Sequence, residues 1–255
     1  MRYDLATLAR RTRKPRRRFV VLRDIVPPSL YAGDLYRQAY APAVAVWSRA
    51  AERLASEYAR TLAEATQDSP ADLDGVIEAA DREFSLLSIL LTPTVERWAL
   101  KVESWYRGKW RAAVLSATSV DIGTLMGAGD MRKTLGATIN WNVALVKDVS
   151  AEARRRMAAI VYDGLRGNKP AREVAKELRE AVGLARARSV RIASDQLAKL
   201  TSALADERRR EAGIDKWQWR HSGKRRPRET HIARNGKVYS DDPKGVGQVV
   251  NGQTV

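Results

Sequence analysis

Cysteine is absent from the 255-residue sequence. Its absence excludes disulfide frameworks, zinc sites built on thiolates and cysteine nucleophiles. Long apolar runs are missing as well, since stretches such as Leu86 to Leu91 fall far short of the roughly 18 residues that a membrane-spanning helix needs. The N-terminus carries Arg2 and Asp4 in place of the apolar segment of a secretion signal. The sequence therefore predicts a soluble protein of a bacterial cytoplasm with no membrane partner.

Positive charge is the most pronounced feature that the sequence does have. Lysine and arginine number 46 against 30 acidic residues, which gives a formal net charge of +16 and a pI of about 10.4. Such a protein binds polyanions unless a partner masks its charge, so nucleic acid is the first partner to expect. With 44% hydrophobic residues, the chain can bury a core in one or two globular units.

Residues 1–28 are predicted to form a basic flexible arm, which Pro27 and Pro28 close. Within it, the stretch RRTRKPRRR repels itself and cannot pack. One interpretation is a solvated tail that only adds solubility, and the one we favour is phosphate binding. The predicted DNA-binding residues of the arm are Arg10, Arg11, Arg13, Lys14, Arg16, Arg17 and Arg18.

A helical body is predicted over residues 29–139. Apolar residues recur at steps of three and four from Ala43 to Ala65, the period of one helix face. Ser69 and Pro70 should open a second helix that runs to about Leu91, and Thr92 with Pro93 should open a third. Two adjoining faces of the third helix form a wide apolar band that we expect to be buried, namely Trp98, Val102, Trp105, Tyr106, Trp110 and Val114.

Three further helices are predicted in the C-terminal half. Ser150 should cap the first, which ends at Gly164 to Gly167, and Pro170 should start the second, which Gly183 should stop. The third should run from about Ala185 to Ala212 and close at Gly213. Its predicted apolar face consists of Val190, Ala193, Leu197, Leu200 and Leu204.

The composition changes after Gly213. Trp217 and Trp219 alternate with polar residues, as in a short strand with one buried face, and a second short strand is predicted at Lys237 to Tyr239. Asn235 and Gly236 form a hairpin turn signal. A second group of cations is either a solvated helix end or a surface that faces DNA. It contains Lys224, Arg225, Arg226 and Arg228, together with Arg208, Arg209, Arg210 and Lys216.

The stretch WQWRHSGKRRPRETHIARNGKVYSDDP, from Trp217 to Pro243, resembles the closing motif of the phage Mu protein F-like minor head proteins. RARSVRIASDQLAKL, from Arg186 to Leu200, resembles that family's long helix, and NVALVKDVS, from Asn142 to Ser150, the segment that opens its domain. The resemblance predicts a family domain over residues 140–243, followed by a polar tail over residues 244–255. Its marker residues are Trp217, Trp219, His221, Gly223, Arg228, His231, Asn235, Gly236 and Lys237.

The resemblance implies a structural protein and not an enzyme. Family members are minor components of tailed-phage heads, associated with the portal vertex and the packaged DNA, with roles in head morphogenesis and genome ejection. The partners to expect are the portal protein, capsid or scaffold proteins and double-stranded DNA. The implied location is the virion, inside the head, after synthesis in the host cytoplasm. The fold we predict is mainly α, a helical body with a basic N-terminal arm and a small C-terminal α+β element.

Neither a cofactor nor a metal nor a catalytic residue is predicted. The family commonly ends in a paired-cysteine element, and the absence of cysteine here removes any metal or redox role of that element. One alternative is a nucleic-acid-binding regulator without sequence specificity, since no zinc finger, basic zipper or convincing helix-turn-helix is visible. The other is an enzyme, either a metal-dependent nuclease built on His221 and His231 near Asn235, Asp241 and Asp242, or an effector-fused toxin, for which the chain has little room.

Overall fold

The computed structural model describes residues 2–12, 21–64, 70–126, 131–220, 227–241, 249–250 and 253–254. The protein is mainly α, as predicted. Its helices are α1 (Leu5–Arg10), α2 (Leu30–Leu35), α3 (Ala41–Glu64), α4 (Pro70–Ser88), α5 (Leu91–Thr118), α6 (Arg132–Arg166), α7 (Ala171–Glu211) and α8 (Glu229–Arg234). The strands are β1 (Lys216–Gln218), β2 (Val238–Ser240), β3 (Val249–Val250) and β4 (Gln253–Thr254).

The chain divides into two compact units, each built from separate stretches of sequence. One unit comprises residues 26–104 and 132–201, and we call it the body unit; the other comprises residues 1–25, 105–131 and 202–255, and we call it the terminal unit. The boundary predicted at residue 140 depends on the family resemblance and stays a prediction. Among the described residues, no helix is long and apolar enough to cross a membrane.

The core of the body unit forms where α3 packs against α4 and α6, and α4 against α6. The predicted apolar face of α3 is confirmed for Val44, Trp47, Ala51, Leu54 and Tyr58, which are buried, whereas Leu62 is 37% exposed and Ala65 lies outside the described residues. This agreement follows from the spacing of three and four, which places these side chains on one side of a helix. One turn of π-helix, Tyr36–Tyr40, leads into α3.

The predicted starts of α4 and α5 are also confirmed. Pro70 is the first residue of α4, where a missing N–H costs nothing because the first N–H groups of a helix have no partner inside it. α5 starts at Leu91, one residue before Thr92 and Pro93. Of the apolar band on α5, Trp105 is half-buried and the other five residues are buried. Trp98 donates from Nε1 to the carbonyl oxygen of Tyr31 at 2.8 Å.

The prediction that Ser150 caps a helix is wrong. α6 is one helix of 35 residues, and Ser150 lies in its interior. The side chain of Ser150 is buried, and its Oγ accepts a hydrogen bond of 2.7 Å from Nε1 of Trp47. A serine inside a helix carries the same sequence signal as a cap, and here a tertiary partner uses its hydroxyl group.

The predicted stop at Gly183 is wrong as well, because α7 runs without a break for 41 residues. Glycine costs about 1 kcal/mol relative to alanine inside a helix, and the buried neighbours Ala181 and Val182 offset such a local cost. Val190, predicted on the apolar face, is 49% exposed. The predicted end is confirmed, since Gly213 adopts a φ of 67° and its N–H donates to the carbonyl oxygen of Arg210.

In the terminal unit, the N-terminal residues differ from the expected arm. Backbone N–H groups of Arg2 and Tyr3 donate to the carbonyl oxygen of Glu211, and that of Leu5 donates to Ala212. The side chains of Tyr3 and Leu5 are buried, and burial raises the pKa of the Tyr3 phenol. Residues 2–12 are therefore packed, because two apolar residues ahead of the cations supply a contact surface. Residues 13–20 lie outside the described residues, and residues 21–28 have no regular structure.

Candidate nucleic-acid interface

The tryptophans that open the predicted strand belong to an aromatic cluster in the terminal unit. β1 and β2 pair antiparallel, with Trp217 opposite Tyr239. The rings of this cross-strand pair stack, with centroids 5.0 Å apart and planes 26° apart. Trp219 follows β1, and its ring centroid lies 6.0 Å from that of Trp217. The half-buried aromatic side chains stabilise a sheet whose strands have only three residues each.

The helix α8 lies between the two strands in sequence and packs on Trp219. His231 meets the Trp219 ring edge to face, with centroids 5.5 Å apart, and the guanidinium of Arg234 lies 5.7 Å from the centroid of that ring. Gly236, at a φ of 83°, donates from its N–H to the carbonyl oxygen of Trp219 at 2.8 Å. Asn235 and Gly236 therefore connect α8 to β2, whereas the sequence predicted a hairpin turn between two strands.

The last turns of α7 hold this element in place through Arg209. Its guanidinium lies 5.5 Å from the centroid of the Trp217 ring and pairs with Asp206 at 2.9 Å and Asp241 at 3.0 Å. Trp217 donates from Nε1 to the same carboxylate of Asp241 at 3.1 Å. The side chain of Arg209 is only 14% exposed. These contacts attach the tryptophan strand to the end of the long helix.

Several cations of the second predicted group form ion pairs with carboxylates. Arg208 is fully buried and pairs with Glu211 at 2.8 Å, so the expectation that Arg208 and Arg209 face DNA is wrong. Arg210 is exposed but pairs with Glu207, and Lys216 pairs with Asp215. The sequence shows that the helix end carries cations. It does not show which of them pair with distant residues, as Arg209 does with Asp241.

Other predicted DNA-binding residues are available for binding. Arg10, Arg11 and Arg228 are exposed, and within the described part of the chain no ion pair involves them. Arg10 and Arg11 end α1, and Arg228 precedes the first residue of α8. Lys237 is exposed as well. The remaining candidates lie outside the described residues, namely Arg13, Lys14, Arg16, Arg17, Arg18, His221, Gly223, Lys224, Arg225 and Arg226.

The described residues show no arrangement for metal-dependent chemistry. Across the ranges that the structure describes, no three histidine or carboxylate side chains come together as a metal site requires. His231 packs on Trp219, and His221 and Asp242 lie outside those ranges.

Sequence reasoning did not identify Arg209, Asp241, Tyr239 and Arg234 as parts of the aromatic cluster. Only the alternation of Trp217 and Trp219, with Tyr239 in the second strand, carried a signal for it.

Comparison with known proteins supports the resemblance. Residues 156–251 match the model of the family described as Phage Mu protein F like protein. A protein of Haemophilus influenzae, described only as an uncharacterized protein, is 24% identical over 123 residues, which cover 48% of this chain and 28% of that protein. The chain thus matches little more than a quarter of the length of this relative. No solved structure matches.

Proposed function

Because residues 156–251 match the Phage Mu protein F like family, we propose that this chain is a minor head protein of a tailed phage, with a structural role near the portal vertex. The family points to phage head morphogenesis. The match is the observation that carries the proposal, and it spans the second part of α6, all of α7 and the β1–α8–β2 element. In this role the chain acts by binding and not by catalysis.

The first binding partner in this proposal is packaged double-stranded DNA. The net charge of +16 and the exposed cations Arg10, Arg11 and Arg228, which form no ion pair with another described residue, support contacts with phosphates. Phosphate contacts carry no sequence information, which suits a protein that must accept any part of a genome. The aromatic rings of Trp217 and Trp219 pack on each other and on α8, so the DNA contact does not depend on them.

The second partner is a head protein, for which we propose the portal protein. The turn between α4 and α5 exposes three large apolar side chains, Leu86, Ile89 and Leu90, to 70%, 71% and 61%; we call this group the apolar turn. Adjacent exposed apolar residues mark protein interaction sites, whereas single ones are common on any surface. Exposed apolar side chains of this kind suit an apolar surface on another protein, and the family match makes a component of the head the partner to expect.

The head role can be tested by deleting the gene for this chain from the phage that encodes it. We expect DNA-filled heads to disappear from electron micrographs and to return when the gene is supplied in trans, and the chain to be found in purified particles. Normal numbers of filled, infectious particles without the gene would contradict the proposal.

The apolar turn can be tested in the same complementation. A variant with Leu86→Gln, Ile89→Gln and Leu90→Gln should fold normally, because these side chains are exposed, but should not restore heads. The matched control carries Leu100→Gln, Leu115→Gln and Leu184→Gln, which are exposed to 47%, 43% and 56% but lie apart in the sequence. If both variants restore heads equally well, the apolar turn is not the contact.

The DNA role can be tested with the basic arm. Deleting the arm would also remove the buried Tyr3 and Leu5, so the suitable variant changes charge alone. It replaces Arg13, Lys14, Arg16, Arg17 and Arg18 by glutamine. Each lost phosphate contact should make the negative slope of log affinity against log salt shallower by about 0.9, so a change of up to about 4.5 is expected. An unchanged slope would mean that the arm contacts something other than DNA, such as an acidic protein surface.

A further inference from the structure

Three arginines of the body unit form a row along α7 at intervals of seven residues. Arg172, Arg179 and Arg186 are all exposed. Within the described part of the chain, none of the three side chains forms a hydrogen bond, an ion pair or a ring contact. We call these residues the arginine row. Most other helical arginines of the body unit differ from them, as Arg154, Arg155 and Arg156 do, each of which contacts a carboxylate.

The local sequence explains why the arginine row has no partners. Ion pairs within a helix join residues three or four positions apart. None of the positions three or four residues before or after Arg172, Arg179 and Arg186 holds an acidic residue. Glu173 and Glu180 directly follow two of the arginines and therefore lie about 100° further around the helix axis. On the same helix, Lys199 has Asp195 four residues away and pairs with it at 2.8 Å.

Helix geometry places the three arginines nearly in a straight line. Seven residues advance about 10.5 Å along an α-helix and return to within about 20° of the same direction, so the row is about 21 Å long. The adjacent side of this part of α7 is held in the body unit by the buried residues Val174, Leu178 and Val182. Arg188 ties α7 to α6 through its ion pair with Asp148 at 2.7 Å. The helix that carries the row is thus fixed in the unit.

We propose that the arginine row is a binding site for the phosphate backbone of duplex DNA, separate from the basic arm. The inference rests on the proposed function, to which it adds a defined surface. Each strand of a duplex presents one phosphate per about 3.4 Å of its axis, so a duplex segment as long as the row, about 21 Å, carries more phosphates than the row has guanidinium groups. Guanidinium groups bind phosphate oxygens in pairs. Because the row has no carboxylate partner among the described residues, phosphate binding breaks no ion pair in that part of the chain.

The test compares two variants that lose the same charge. The row variant carries Arg172→Gln, Arg179→Gln and Arg186→Gln, since glutamine retains a good helix propensity. The control carries Arg82→Gln, Arg155→Gln and Arg166→Gln, which replace exposed arginines of the same unit that lie beside Glu78, Glu152 and Asp163. Binding of a fluorescent duplex of random sequence is measured by anisotropy over a range of KCl concentrations, and circular dichroism checks the fold.

The row variant should make the negative slope of log affinity against log salt shallower by about 2.7, three times the contribution of one phosphate, and the control variant should make it shallower by less than about 1. Equal losses in both variants would overturn the inference, because net charge alone would then explain binding. An unchanged slope in the row variant would also overturn the inference. If the arm variant nevertheless has a shallower slope, the proposed function still stands. If the wild-type chain binds no duplex at all, the DNA part of the proposed function fails together with the inference.

Discussion

Replacing Ser150 by alanine should lower the free energy of unfolding by about 0.5–2.5 kcal/mol. The hydroxyl oxygen of Ser150 accepts the hydrogen bond of the Trp47 indole N–H, and both side chains are at least 98% buried. Removing the acceptor leaves a buried donor unsatisfied, at a cost of about 1–3 kcal/mol. Alanine has a higher helix propensity than serine, which returns about 0.5 kcal/mol in a helix interior.

Ser150→Asp distinguishes between two positions for Ser150, a buried position inside α6 and the helix cap that the sequence predicts. At an N-cap, aspartate is about as favourable as serine, so a cap would tolerate the change. In the interior of α6, the substitution places a carboxylate in the core beside Trp47, where a single hydrogen bond does not compensate for the lost hydration. We expect a loss of more than about 3 kcal/mol, the range for an uncompensated buried charge.

Urea unfolding followed by circular dichroism at 222 nm measures both effects. Ser194, exposed in the middle of α7, is the matched control, and its changes to alanine and aspartate should each alter stability by no more than about 0.5 kcal/mol. Trp47→Phe removes the donor, and a double-mutant cycle with Ser150→Ala should give a coupling energy of about 1 kcal/mol. Wild-type stability for Ser150→Asp would refute the reasoning.

Two glycines and one carboxylate provide further predictions. Gly164→Ala should destabilise the body unit, because the new Cβ would lie 2.8 Å from Cγ2 of Val174, whereas Gly183→Ala, with nothing within 4 Å, should stabilise α7 by about 0.5–1 kcal/mol; thermal melts compare the two. Hydrogen bonds from Arg111, and then from a backbone N–H, lower the pKa of Asp121 to about 2. NMR titration should show that Arg111→Gln raises this pKa toward about 3.9. Because the folded-state pKa is depressed, the contribution of Asp121 to stability should be present above about pH 4 and lost as the pH falls toward 2.

Helices with regular apolar spacing and strong end signals could be predicted from the sequence. The face of α3 that contains Trp47 and Leu54 was correct because a period of 3.6 residues places such side chains on one side of any helix. Pro70 and Gly213 were correct because a ring-restricted φ suits a first turn and a positive φ suits a closing residue. These signals depend on neighbours within a few residues, which the sequence shows directly.

Breaks inside the two longest helices could not be predicted in the same way. Ser150 and Gly183 carry signals worth about 1 kcal/mol each. Burial of one large apolar side chain contributes about 1.5–3 kcal/mol, so packing on both sides of such a residue decides whether the helix continues. The sequence shows the weak local preference but not the stronger contact, such as that between Ser150 and Trp47.

The same distinction between local signals and distant contacts applies to the candidate site. Trp217, Trp219 and the residues around them could be predicted to form a small α+β element, through strand alternation and the family resemblance. The state of each cation could not, because Arg209 meets Asp241 from 32 positions away, while Arg228 is exposed without an ion pair among the described residues. The sequence shows that the chain has 46 lysines and arginines, but it does not show which of them can bind a phosphate.

Composition and periodicity by themselves determined that this protein is mainly helical and strongly basic, and the order of its motifs showed its resemblance to the family whose model matches residues 156–251. Each of these properties depends on residue identity or on spacing within a few turns. The tertiary structure alone decided that Tyr3 and Leu5 pack beside the end of α7, that Arg208 is buried and that Arg209 pairs with Asp241. These outcomes depend on contacts between distant segments, whose energies arise only once the chain has folded.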